Sequence, residues 1–113
     1  MKTIIAGSRG ITDIRTVNIA VNESGIDITT VVSGTARGVD RLGEEWADKH
    51  NIPVDQYPAE WDLYGKSAGY RRNELMAVKA DALIAIWDGE SRGTMHMINI
   101  AKDHGLVVHV HKV

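Results

Sequence analysis

Asp81-Ala-Leu-Ile-Ala-Ile-Trp87, followed by Asp88-Gly-Glu-Ser-Arg-Gly-Thr94, joins an apolar run to a glycine-containing turn and then to a stretch of helical spacing. The run from Ala82 to Trp87 has no polar alternation, which marks a strand covered on both faces, as in parallel sheets. Asp88-Gly89 stops it. Gly93-Thr94 opens the next helix, whose first backbone N–H groups lack intrahelical partners and can bind an anion with help from the helix dipole. Taken alone, a strand–turn–helix junction with Thr94 as cap accounts for the same residues. Three similar junctions upstream favour the anion site.

Working outward, Thr3-Ile-Ile-Ala6 runs into Gly7-Ser8-Arg9-Gly10, and Ile14, Val17 and Val21 then recur at helical spacing until Ser24-Gly25. Thr29-Thr-Val-Val-Ser33 repeats the pattern, with Gly34-Thr-Ala-Arg-Gly38 as its loop and Val39, Leu42 and Trp46 as the inner stripe of a helix ending near Asn51. Val54-Asp-Gln-Tyr57 is a weaker, alternating strand of the kind found at a sheet edge, and Pro58 ends it. The connection from Ala59 to Ala68 is long for this class and carries Trp61, Tyr64 and Lys66, which makes it a lid candidate. Ala68 to Ala80 reads as a third helix with Arg72, Leu75, Met76 and Val78 on or beside its inward stripe. The fourth helix runs from Thr94 to about His104, Gly105 caps it, and Leu106 to Val110 is the last strand.

Five strands alternating with four helices imply an α/β fold: a parallel sheet with right-handed crossovers in a doubly wound three-layer sandwich. The ligand crevice of such a sheet lies outside the carboxyl ends of the strands, where strand order reverses. With the order 3-2-1-4-5, the one we expect, it falls between Gly7-Ser8-Arg9 and Asp88-Gly89. Periodicity by itself also allows 2-1-3-4-5.

The 113 residues fit one domain, and a net charge of −2 argues against a general nucleic-acid binder. The absence of cysteine excludes disulfides and thiolate metal sites, and no apolar run is long enough to span a bilayer. The expectation is a soluble, cytoplasmic chain with no leader segment.

Charge is segregated. Every arginine (Arg9, Arg15, Arg37, Arg41, Arg71, Arg72, Arg92) falls in a strand-to-helix loop or early in the following helix, whereas Lys49, Lys79 and Lys102 fall late in helices, where they complement the dipole. Arginine near a helix start opposes the dipole, so the clustering suggests an anionic ligand held by planar, multidentate donors. The competing account is neutralisation by Asp13, Asp40, Glu44, Glu74 and Asp88 in surface pairs worth about 0–1 kcal/mol each. Gly7, Gly34, Gly38 and Gly93 permit close backbone approach or positive φ, and Ser8, Ser33, Thr35, Ser91 and Thr94 offer hydroxyls. Gly7-Ser-Arg-Gly10 is neither the spaced dinucleotide fingerprint nor a Walker loop. Arg72, four residues after Ala68 and three before Leu75, should point inward at the ligand edge. There it needs an anionic partner: Asp40, Asp88 or a bound phosphate or carboxylate.

Together, Gly7-Ser8-Arg9, Ser33-Gly-Thr-Ala-Arg-Gly-Val-Asp40, Pro58-Ala-Glu-Trp61, Gly65-Lys66, Ala68-Gly69, Arg72-Asn73 and Trp87-Asp-Gly-Glu-Ser-Arg-Gly-Thr94 resemble the SLOG superfamily, above all its small YspA-like, YpsA-related proteins. The resemblance covers nearly the whole chain. It implies a Rossmann-like fold that senses, sequesters or presents phosphorylated nucleotide derivatives, including NAD- and ADP-ribose-related molecules, with no resident cofactor. The implied site comprises Gly7, Ser8 and Arg9 of the first loop and Ser33, Gly34, Arg37, Gly38 and Asp40 of the second. It continues with Lys66, Arg72 and Asn73, and closes with Asp88, Gly89, Ser91, Arg92, Gly93 and Thr94.

Two groups of relatives suggest other activities. In LOG-type phosphoribohydrolases a catalytic glutamate follows the Gly-Thr turn at the position of Met97, and a thioether cannot act as acid, base or carboxylate nucleophile. Glu90, Asp88 or Glu60 could substitute, but no spacing argues for it. DNA-processing protein A has similar Gly-Ser-Arg, Ala-Arg-Gly and Arg-Asn elements, but net acidity and the lack of an aromatic stacking series count against single-stranded DNA.

His109 and His111 share a strand face, but with no carboxylate in register they read as a solvated strand end, and no metal is expected. His96 reads as a packed or interface residue, and Trp46 as core. Trp61 and Trp87 could either stack on a base or simply pack. Met95, Met97 and Ile98 suggest apolar surface on the fourth helix and a homo-oligomer.

Overall fold

The computed structural model describes residues 1–113. Its sheet is wholly parallel, in the order β3-β2-β1-β4-β5, which decides between the two orders left open by periodicity. β1 (Lys2–Gly7) and β4 (Ala82–Trp87) are the central neighbours, in register from Thr3 beside Ala82 to Gly7 beside Ile86. β2 (Thr30–Ser33) and β3 (Val54–Gln56) extend one side, and β5 (Val107–Lys112) closes the other.

Strand alternation divides the core. Ile5, Ile84, Ile86 and Val31 pack on Val17 and Ala20 of α1 (Ile14–Ser24) and on Val39, Trp46 and Ala47 of α2 (Val39–Lys49). Ile4, Ala6, Leu83 and Ala85 face Met76 and Ala77 of α4 (Ala68–Lys79) and Met97, Ile98 and Ala101 of α5 (Arg92–Asp103). This explains why β4 reads as a continuous apolar run: both of its faces are covered. No helix is long and apolar enough to cross a membrane.

Several expectations are corrected. Leu75 and Val78 are 47% and 60% exposed, and the inner stripe of α4 is Ala68, Asn73, Met76 and Ala77. The Ala59–Ala68 connection, read as a lid candidate, contains the short helix α3 (Trp61–Tyr64) and a 3₁₀ turn at Gly65–Ser67, which the sequence reading did not anticipate. α5 starts at Arg92 and is capped by Ser91 instead of Thr94. Met97 and Ile98 are buried, leaving only Met95 exposed among the three residues read as an apolar surface. His109 and His111 do have a carboxylate partner, contributed by α1: Glu23 Oε1 lies 3.4 Å from His109 Nε2 and 2.7 Å from His111 Nδ1. No group of three or more histidine, aspartate or glutamate side chains is placed to hold a metal ion.

Candidate functional site

At the carboxyl ends of β1 and β4, a cleft of about 440 Å³ opens where the strand order reverses. Gly7, Ser8 and Arg9 line it from the first loop, Ala36 and Asp40 from the second, Arg72 and Asn73 from α4, and Asp88, Ser91, Gly93 and Thr94 from the last. Ser8 ties two of these loops together, because its N–H donates to Ile86 O (3.1 Å) and its buried Oγ accepts from Asp88 N–H (3.1 Å). Ala6, Gly10, Met76 and Met97 complete the lining, so the position at which the sequence comparison with phosphoribohydrolases expects a glutamate contributes a buried thioether here.

The turn that opens α5 is partly satisfied by its own residues. Asp88 Oδ1 accepts from Glu90 N–H and Ser91 N–H, both at 2.8 Å, and those bonds hold its carboxyl below the usual aspartate range. Ser91 Oγ accepts from Thr94 N–H at 3.4 Å and lies 3.0 Å from Thr94 Oγ1. The Gly89, Arg92 and Gly93 N–H groups of this turn have no intrachain partner.

Arg72 enters from α4, half buried. It donates through Nε to Asn73 Oδ1 (3.0 Å) and through Nη1 to the Gly34 carbonyl. It makes no salt bridge, so a carbonyl stands where an ionic partner was expected. Gly34 lets these groups close in: a Cβ there would lie 2.6 Å from Arg72 Nη1 and 2.8 Å from Asp40 Oδ2, and both side-chain ends would have to move to admit it. Burial lowers the Arg72 pKa from its usual value.

Asp40, 6% exposed, accepts from Ala36 N–H through Oδ2 (3.1 Å). Its burial pushes its pKa up to about 6, against the opposing pull of the Ala36 N–H and of the Arg72 and Arg9 charges, with Glu44 adding to the rise. Asn73 is also buried, donates to Gly93 O (3.4 Å) and lies 3.2 Å from His96 Nδ1, thereby linking α4 to the last loop. His96 packs on Tyr70 with ring centroids 4.4 Å apart, and burial lowers its pKa.

Neutralisation by surface pairs is nearly absent among the arginines: Arg15 pairs with Asp13 at 2.8 Å, and the others make no salt bridge. Arg9, Arg37, Arg41 and Arg72 line a second basin of about 360 Å³ with Gly34, Thr35 and Trp61. Lys66 lines a smaller third one of about 200 Å³, with Arg9, Trp61, Tyr70 and Arg72. The structure therefore places most of the expected residues in three adjoining compartments that share Arg9 and Arg72.

Four expected residues line none of the three. Ser33 is buried, donating to Glu44 Oε2 (2.6 Å) and accepting from Thr35 N–H. Gly38 adopts φ +77° with its backbone against Ser8 O and Arg9, which sets the first loop against the second. Gly89 turns at φ +85° beside Lys112, and Arg92 lies outside the compartments. Sequence reading did not select Ala36, Gly10 or Met76, because small and apolar side chains carry no chemical signal, yet all three line the cleft.

Residues 1–64 match the YspA, cpYpsA-related SLOG family, and the chain belongs to it. The chain is also 36% identical over 84 residues to the Gene 61 protein of Mycobacterium phage D29, a match covering 69% of this chain and 67% of that protein. No solved structure matches.

Proposed function

We propose that this SLOG chain binds a phosphorylated nucleotide-derived small molecule, of nucleotide, ADP-ribose or NAD-related type, in the cleft at the strand-order reversal, for sensing, sequestration or presentation. The observation that carries the reading is the pair Arg9 and Arg72, two arginines that line that cleft with no salt-bridge partner of their own. A guanidinium presents a fork of N–H donors that matches phosphate oxygens, and taking up an anion offsets the cost of holding Arg72 half buried.

The experiment is a thermal-shift and calorimetry series against nucleoside mono- and diphosphates, ADP-ribose, NAD and cyclic nucleotides. Stabilisation by at least one is expected, and none by any would refute the reading. Arg72→Met retains the apolar stem and breaks no ion pair, so the free protein should melt only modestly earlier, through loss of the hydrogen bonds to Asn73 Oδ1 and the Gly34 carbonyl. Affinity should fall about ten- to hundredfold, the equivalent of a charge-assisted hydrogen bond worth roughly 1.5–3 kcal/mol. A variant that melts early yet binds with unchanged affinity would make Arg72 scaffold.

Hydrolysis at an N-glycosidic bond is the second reading. Asp40 favours it, as a carboxyl in the cleft with its pKa raised to about 6 and so suited to proton transfer near neutral pH. Chromatography after long incubation separates the two readings: an intact ligand supports binding, whereas free base released by the parent and not by Asp40→Asn supports turnover.

A further inference from the structure

The arginines without salt bridges are unevenly distributed between the compartments. The basin formed by Arg9, Arg37, Arg41 and Arg72 has no acidic side chain in its lining. The cleft on the other side of Arg9 and Arg72 has two, Asp40 and Asp88, together with Ser8, Asn73, Ser91 and Thr94. The compartments meet at Arg9, Ala36 and Arg72, so one ligand can reach both.

The backbone follows the same division. At the start of α5, Asp88 already occupies two N–H groups and brings a negative charge to the place an incoming phosphate would take. At the start of α2 no side chain caps the helix, and although Asp40 in its first turn takes the Ala36 N–H, the N–H groups of the basin residues Arg37 and Arg41 make no hydrogen bond within the chain. Phosphoryl groups favour guanidinium and free N–H donors, and carboxylates nearby repel them. Sugar hydroxyls have the opposite preference, since a carboxylate is an acceptor that each hydroxyl can donate to.

We propose, building on the nucleotide-binding reading above, that the Arg37–Arg41 basin is a distinct phosphoryl subsite and that the cleft beside it takes the sugar hydroxyls of the same ligand. The ligand class is then a sugar or nucleoside carrying a terminal phosphoryl or diphosphoryl group. That group runs from the cleft past Arg9 and Arg72 into the basin. Trp61 forms part of the basin wall and is 51% exposed, offering a ring face to a base or a second sugar attached beyond the phosphates.

The test uses inorganic pyrophosphate and ribose 5-phosphate as probes of the full chain, followed by amide and arginine Nε–H NMR at low salt. Pyrophosphate should shift the Arg37 and Arg41 side-chain signals and the amides from Thr35 to Arg41. The double variant Arg37→Gln, Arg41→Gln should weaken this binding at least tenfold. Both side chains are exposed and make no side-chain hydrogen bond or salt bridge, so the variant should melt like the parent. Ribose 5-phosphate should shift the Ser8 and Asp88 amides in addition.

Pyrophosphate shifts confined to Ser8 and Ser91–Thr94, unchanged in the double variant, would overturn the basin while leaving nucleotide binding in the cleft intact. Ribose 5-phosphate shifts confined to the basin would overturn the sugar assignment. No response to pyrophosphate in a chain that ADP-ribose stabilises removes the basin alone, and no response to either removes both readings.

Discussion

Asp40 shows how far a single side chain can depart from what its position in the sequence suggests. An acid in the first turn of a helix reads as a dipole complement, yet this one is buried beside Arg72, Arg9 and Glu44 and has its pKa raised to about 6. A carboxyl whose pKa is higher folded than unfolded favours the protonated native state. Its contribution is therefore complete below the unfolded pKa, near 4, and is lost as pH rises through about 6. Asp40→Asn keeps an oxygen for Ala36 N–H and removes the titration. We expect the variant to exceed the parent in stability at pH 8 by about 1–3 kcal/mol, with the gap closing toward pH 4. Thermal melts across that range check it, and a pH-independent difference would show that Asp40 does not titrate there. Arg72 was legible as an inward arginine from its spacing. Its carbonyl partner was not, because Gly34 lies 38 residues away on another loop.

The elements that sequence reading recovered are those whose hydrophobic pattern is set by the sheet. β4 is apolar throughout because both faces are covered, and α2 shows Val39 and Trp46 at helical spacing because it packs on one side. α4 misled because its inner stripe is made of Ala68, Asn73, Met76 and Ala77, mostly small or polar, while Leu75 and Val78 face outward. Met76→Ala should therefore cost about 2–5 kcal/mol, and Leu75→Ala should stay within about 0.5 kcal/mol. Equal losses in chemical denaturation would restore the sequence-based stripe. α3 was missed since four residues are too few to establish a period. At the head of α5, Ser91→Ala removes the hydroxyl that accepts from Thr94 N–H and should cost about 1 kcal/mol by the same measurement.

At the scale of the whole molecule, alternating strands and helices specified the layers, and the strand order then brought four loops to one end of a body 35 × 25 × 24 Å in extent. The gathering of arginines at that end was visible in the sequence. Its division into an acid-containing cleft and an acid-free basin was not, because that depends on how Arg9 and Arg72 partition the space. With Met97 and Ile98 buried, self-association through α5 rests on Met95, and a monomeric mass by light scattering at micromolar concentration would remove it. The three tryptophans lie in three different settings: Trp46 is buried and stacked on His50, Trp87 donates its Nε1–H to Ser91 O, and Trp61 is half exposed beside the basin. Intrinsic emission should accordingly contain a red, iodide-quenchable component from Trp61 above a bluer background from the other two, so an occupied basin becomes visible as shielding from the quencher without any label attached.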